Sequence, residues 1–186
     1  MIEKKLYYIW IGNIKKPEIF YKCFESWKKN LPDFKIIEIN EKNFDMTTHL
    51  EKNRFFRECY KRKLWAYVSD YIRVHYMYEN SGIYVDTDME IIKNLAPIVE
   101  NEKLKFFIGY EDKKHVSVGI FGNNKNNKIL KDIIEFYEYE IWEKPLWTIP
   151  KIFTYILEKK YNLTDKRENI LEKGEITIYP KEYFYP

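Results

Sequence analysis

The sequence predicts an α/β fold built as a mostly parallel central sheet with helices on both faces. Three observations predict it. The opening stretch of about forty residues reads strand, helix, strand, a unit that places two parallel strands around a crossover helix. The run "IYV" at Ile83–Val85 is apolar without alternation, as in a strand buried on both faces. The composition is globular, 45% hydrophobic and 18% aromatic with only 6 Gly and 7 Pro in 186 residues, which excludes collagenous and disordered chains. No internal repeat, low-complexity tract or Pro/Gly/Ser linker divides the chain, so it reads as one domain over residues 1–186.

The elements follow in order. "LYYIWI", Leu6 to Ile11, is a β-rich apolar run closed by the turn signal Gly12-Asn13. After Pro17, Phe20, Cys23, Phe24 and Trp27 recur at i, i+3, i+4 and i+7 and give a helix one apolar face. "PDFKIIEIN" supplies a second strand, Phe34 to Ile39. Residues 50–62 read as a weaker, charged helix. A stronger one runs from about Leu64 to Glu79 and stops near "ENSG", where Gly82 suits a C-terminal cap region. Ile83–Val85 follows directly, and "KFFIGYE" and "VSVGIFG" are further strands, the second a candidate for antiparallel pairing. "NNKNN" is a loop. Ile129, Leu130, Ile133, Ile134, Tyr137 and Ile141 mark an amphipathic helix, "IPKIFTYILEKKY" another with Pro150 at its start, and "EITIYP" a late strand.

Charge and cysteines narrow the function classes. Lys and Arg number 32 against 29 acids, a net charge of +3, too small to imply nucleic acid. The lysines are spread along the chain as solvated faces. Cys23 and Cys59 stand in no C-x-x-C arrangement, so a disulfide framework is not expected and a reducing compartment is. No stretch has the length of a membrane helix or a secretory apolar region, which points to a cytoplasmic protein.

The chemistry gathers where the central strand ends. "GIYVDTDMEII" sends Asp86 and Asp88 out of the carboxyl end of a buried strand, the rim at which open α/β sheets bind ligands. In an extended segment both side chains point one way and Thr87 the other. Two converging carboxylates are costly unless a cation neutralises them, and an all-oxygen pair suits Mg²⁺ or Mn²⁺ rather than zinc. Diphosphate oxygens and water would then complete the coordination. A solvated acidic loop is the bland alternative.

The preceding helix, "LWAYVSDYIRVHYMYE", is apolar nearly all round, yet carries Asp70 and Arg73 three apart on one face. Either they form a buried ion pair that sets helix register, or they line a polar pocket. In a pocket Arg73 could fork onto phosphate or sugar hydroxyls, and Asp70 could accept from hydroxyls. His75 reads as a satisfied core histidine.

Three segments together resemble glycosyltransferase family 32, the DXD-containing sugar transferases of capsular polysaccharide and glycan synthesis. They are "YYIWIGN" near the start, "WAYVSDYIRVHYMYENSGIYVDTDMEIIKNLAP" in the middle and "ITIYPKEYFYP" at the end. The same set is similar to the catalytic core of the large clostridial glucosylating toxins. The resemblance implies a GT-A (Rossmann-like) single domain, a nucleoside-diphosphate sugar donor, UDP-sugar favoured, a divalent metal and transfer with retention. It implies that Trp10 stacks on the nucleobase, with Ile9 and Ile11 setting backbone groups against it. Asp70 would hold ribose or sugar hydroxyls, Arg73 would reach sugar or diphosphate, and Asp86 would contact the donor and help with the metal. Asp88 would be the direct metal ligand. Asp70, Arg73, Asp86 and Asp88 are thus the candidate catalytic set, with no nucleophile or general base among them.

The sequence departs from the family pattern twice. Family members usually continue past "EYFYP" to a segment that closes over the donor, so a shortened domain is expected. Ile149 also stands where similar sequences often carry Gly before the proline, on the acceptor side. A glycan, lipid-linked or protein hydroxyl is the expected acceptor, with at most peripheral association at the inner face of the membrane. Two rivals are carried. One is a domain that only binds, or only hydrolyses, a nucleotide sugar. The other is a haloacid dehalogenase-type phosphohydrolase, whose D-x-D-x-[TV] pattern Glu90 breaks.

Overall fold

A computed structural model describes residues 1–12, 14–144, 147–164 and 168–185. The chain runs β1 (Lys5–Ile9), α1 (Glu18–Asn30), β2 (Lys35–Ile39), α2 (Met46–Lys52), α3 (Arg54–Lys61), α4 (Trp65–Glu79), β3 (Gly82–Val85) and α5 (Ala96–Val99). It continues through β4 (Phe106–Tyr110), β5 (Val116–Asn123), α6 (Lys128–Glu135), α7 (Ile149–Tyr161), β6 (Asn169–Leu171), β7 (Ile176–Tyr179) and α8 (Lys181–Phe184). Among the described residues these strands form one sheet in the order β2-β1-β3-β5-β4-β7-β6. β1 pairs parallel with β2 and β3, and β4 parallel with β7, while β5 and β6 run the other way. The carboxyl ends of β1, β3 and β4 therefore share one edge of the sheet. The α/β reading, with most strands parallel and β5 antiparallel, holds.

Every residue of β3, β4 and β5 is buried, because each face carries its own core. Leu6, Tyr8, Ile83 and Val85 pack toward Phe20, Cys23 and Trp27 of α1. Tyr7, Ile9, Tyr84 and Phe121 pack toward α3, α4, α6 and α7. Alternate residues of β1 and β3 thus feed opposite cores, which removes any polar alternation from the sequence. Trp27 is fully buried, and an indole of about 200 Å² contributes on the order of 5 kcal/mol. Cys23 and Cys59 are free and lie in opposite cores, so they cannot pair. Among the described residues no helix is long and apolar enough to cross a membrane.

The structure corrects several local expectations. The helix expected over residues 50–62 is two helices, because the Asn53 side chain accepts from Phe56 N at 2.9 Å and starts α3 anew. The helix expected through Ile141 loosens after α6 into a π turn at Phe136–Glu140 and a 3₁₀ turn at Ile141–Glu143. β1 ends at Ile9 rather than Ile11. Asn13, half of the predicted turn, lies outside the described residues, while Gly12 has φ +85°. β6, α5 and α8 have no counterpart in the sequence reading.

Gly82 is not a helix cap. α4 ends on extended Asn80, and Gly82 opens β3 with φ +149°. A Cβ there would stand 2.6 Å from the Lys5 carbonyl oxygen and 2.7 Å from the Tyr7 ring, so glycine lets β3 close on β1. Gly82→Ala is therefore expected to cost at least about 2 kcal/mol, lowering Tm by roughly 5 °C or more in thermal unfolding. An unchanged Tm would contradict the close approach.

Candidate active site

Asp86 and Asp88 lie at the shared carboxyl edge, directly after β3. They do not continue the strand, as the extended reading required. The Met89 amide donates to the Asp86 carbonyl at 3.2 Å, so residues 86–89 form a tight turn. The two side chains therefore differ in setting: Asp86 is half-buried and Asp88 exposed.

The turn is held from both sides. From α1, Trp27 Nε1 donates to the Met89 carbonyl at 2.7 Å and Asn30 Nδ2 to the Ile91 carbonyl at 2.7 Å, while Ser26 Oγ accepts from Ile91 N at 3.0 Å. From β5, the Gly119 carbonyl accepts from Asp86 N at 2.7 Å. That bond extends the antiparallel β3–β5 pairing by one residue past Val85 and Ile120. Ile108 faces Phe121 but Gly109 faces Ser117, so Val118, Gly119 and Ile120 bulge off β4 toward β3. Bulges of this kind redirect backbone groups next to sites.

Arg73 of α4 reaches Asp86 across the helix–sheet interface. Its Nη2 lies 2.9 Å from Asp86 Oδ1 and 3.6 Å from Asp70 Oδ1, and its Nη1 donates to the Val118 carbonyl at 2.8 Å. The guanidinium also stands 4.3 Å from the centre of the Tyr84 ring, whose hydroxyl donates to the same Asp86 oxygen at 2.9 Å. Arg73 Nε has no partner among the described residues. The sequence reading offered a buried pair or a phosphate-facing fork. The structure brings Asp70, Arg73 and Asp86 together as a buried network, with the fork turned on Asp86.

Burial dominates the electrostatics. It raises the Asp86 carboxyl, which Arg73 and the Tyr84 hydroxyl oppose and Asp88 reinforces. It pushes Asp70 up to about 6, against the pull of Arg73 and with a push from Asp86. For Arg73 burial would lower the pKa, but Tyr84, Asp86 and Asp70 outweigh it and raise it further, so the guanidinium stays charged.

Asp86 Oδ2 and the whole Asp88 carboxylate accept no hydrogen bond and form no ion pair among the described residues. Two hard oxygen donors left free at the mouth of the turn fit a divalent ion of the Mg²⁺ or Mn²⁺ type. Among the described residues no group of three or more His, Cys, Asp or Glu could hold a metal. A cation here would rest on these two acids and on ligand oxygens.

Ile9, Trp10 and Ile11 close β1 at the same edge. Ile9 is buried, Ile11 packs on the α4 side, and Trp10 lies on the α1 side with its ring 6.0 Å from Phe20. Trp10 Nε1 donates to the Ile14 carbonyl at 2.7 Å, and the indole stays partly exposed. Sequence reasoning missed Tyr84, the β5 bulge and Tyr185. The Tyr185 hydroxyl accepts from Ser117 Oγ at 2.6 Å and lies 3.7 Å from Met89 Sδ, beside the turn. No local pattern marks these groups, since each acts through a contact distant in sequence. Of two cavities away from the turn, the larger, about 740 Å³, opens between α2, α4 and the π turn around His49, His75 and Trp142.

Residues 17–105, just under half of the chain, match a family model described as a glycosyltransferase sugar-binding region containing a DXD motif. No curated protein matches. Among solved structures the chain is similar to the PaToxG glycosyltransferase, with a TM-score of 0.66 and 17% identity over 86% of this chain and 69% of that one. The chain has a more distant likeness to a glycosyltransferase involved in the glycosylation of the major capsid of PBCV-1, with a TM-score of 0.48 and 9% identity over 95% of this chain and 82% of that one. The DXD turn and its clamp on α1 both fall within the residues that are similar to that sugar-binding region, and the fold is one that a solved glycosyltransferase shares.

Proposed function

We propose that the chain is a metal-dependent, retaining hexosyltransferase that moves a sugar from a nucleoside-diphosphate sugar, UDP-sugar favoured, to a hydroxyl acceptor. The observation that carries this reading is a division of labour at the turn. Asp86 is fixed through Oδ1 by Arg73 and Tyr84, while its Oδ2 and Asp88 are left without protein partners. The motif order favours glycosyltransferase family 32 and its toxin relatives, in one domain spanning the chain. A cytoplasmic role in polysaccharide or glycan synthesis suits that assignment.

Asp88 and Asp86 would hold Mn²⁺ or Mg²⁺, which when bound stabilises negative charge on a diphosphate. Trp10 would stack its partly exposed indole on the base, and stacking on a base is worth about 1–3 kcal/mol. Asp70, its pKa raised to about 6 and its carboxylate still mostly ionised at pH 7, would accept from donor hydroxyls. Arg73 acts as a positioning residue, since its fork is engaged by Asp86 and Val118. In the transfer the acceptor oxygen bonds to the anomeric carbon and the bond from that carbon to the diphosphate oxygen breaks. The electron pair leaves with the diphosphate, and the acceptor's proton passes to a leaving oxygen on the same face.

With Mn²⁺ present, UDP at a hundredfold excess over its Kd should stabilise the protein by about 2.7 kcal/mol, and UDP alone should stabilise it less. Asp88→Asn should lose the metal-dependent part of the Tm shift together with donor turnover. Wild-type values of both in the variant would overturn the reading, and stabilisation without transfer or hydrolysis would mark a binding domain. Steady phosphate release from simple phosphoesters would instead mark a phosphohydrolase.

Asp70 supplies a second test. Its pKa is higher folded than unfolded, so the native state holds more protons between about pH 4 and 6, and stability from this group falls as pH rises through that window. Asp70→Asn should remove that slope in urea unfolding and be at least as stable as wild type at pH 7. A variant clearly less stable at pH 7 would show the ionised carboxylate to be net stabilising.

A further inference from the structure

The second cavity, about 380 Å³, lies beside the β4–β5 hairpin and the start of α7, within the size range of small-molecule sites, roughly 300–1,000 Å³. It sits at the carboxyl end of β4, hence on the sheet edge that carries the DXD turn. Its wall is tied to that site by β5. Thr154 Oγ1, in the wall, accepts from Val116 N at 3.1 Å, and the Val118 carbonyl accepts from Arg73. Along β5, two residues of strand, about 7 Å, separate Val116 from Val118.

The lining is basic and aromatic. Lys113, Lys114 and Lys151 line the cavity and form no ion pair among the described residues, whereas Lys4, Lys22, Lys105 and Lys160 are each paired with an acid. Of the acids close by, Asp112 is engaged by His115 at 3.1 Å, and Glu158 lines the cavity. The three cations outnumber the two nearby carboxylates, Asp112 and Glu158. Trp147 forms a second wall and is partly exposed; Phe136 stacks on it at 6.0 Å, Tyr155 stands at 81° to it, and Lys144 Nζ lies over its ring at 5.4 Å. A rigid aromatic plane beside unpaired cations suits a ring that is apolar on its face and carries an oxyanion at its edge.

We propose that this cavity is the acceptor subsite and takes a sugar bearing an oxyanion, phosphate or carboxylate, through Lys113, Lys114 and Lys151 against the Trp147 plane. The assignment as acceptor site rests on the transferase reading. The three lysines are on the surface and their replacement does not disturb either core.

Calorimetric titration of the full chain with glucose 1-phosphate, glucuronate and glucose tests it. One or both anionic sugars should bind at least tenfold more tightly than glucose, and the stronger of the two identifies phosphate or carboxylate as the recognised group. Lys113→Gln, Lys114→Gln and Lys151→Gln should each weaken binding by up to roughly tenfold, leaving the UDP–Mn²⁺ Tm shift unchanged. With UDP–Mn²⁺ present, the bound sugar's proton resonances should broaden, as a site next to the DXD turn requires. Equal affinity for glucose, no binding of either anion, unchanged affinity in the triple variant, or no broadening would each overturn the proposal. If UDP–Mn²⁺ stabilises the wild type while the anionic sugars fail, this inference alone falls; if UDP–Mn²⁺ also fails, the transferase reading falls with it.

Discussion

The site depends on one charge pair, the buried Arg73 with the half-buried Asp86. A guanidinium taken out of water is expensive, and only good geometry offsets the cost. Here the geometry is complete on the side that faces Asp86: a carboxylate oxygen at 2.9 Å, a backbone carbonyl at 2.8 Å and an aromatic ring beneath. Removing the Asp86 carboxylate would leave the buried guanidinium with only the more distant Asp70 to compensate its charge. The pair thus ties α4 to the end of β3 and to β5 at a single point. It also sets one oxygen of Asp86 permanently inward, which determines what the other can do.

Around that point the backbone is arranged rather than merely packed. The β5 bulge takes Val118 off β4 and its carbonyl accepts from Arg73, while the Gly119 carbonyl, on the β3 side, accepts from the Asp86 amide. A Cβ at Gly119 would stand 2.6 Å from the Tyr185 hydroxyl and 3.2 Å from Asp86 Oδ2, so any side chain there would push these groups aside. On the far side α1 grips the turn through three polar side chains that are otherwise at home in a helix. A loop fixed at both flanks can hold like charges near each other without swinging them apart, which is what a cation site needs before its ion arrives.

Much of this was legible in the sequence, and the reasons for the rest are physical. The helix face of Phe20, Cys23 and Trp27 and the unalternating "IYV" announce packing that neighbours in sequence decide, and both were realised. The place of Asp86 and Asp88 at a strand's end was readable for the same reason. Their conformation was not, because the turn is imposed by Trp27 and Gly119 from distant parts of the chain. Gly82 looked like a cap because caps are where glycine most often follows a helix; its real constraint, the Lys5 carbonyl, is 77 positions away. Asn53 lay within a charged run whose period did not change, so only its side-chain bond to Phe56 divides the two helices. Tyr84 was read as core, and it is, but its hydroxyl ends on Asp86.

The two buried thiols acquire a use from where they sit. Cys23 belongs to the helix that clamps the DXD turn, and Cys59 to the opposite layer, each almost wholly hidden. An alkylating reagent can reach either one only when its own layer lifts from the sheet. The chain therefore carries a built-in pair of clocks, one timing the opening of the α1 layer and the other the breathing of the α3–α4 layer, readable from a single mass spectrum.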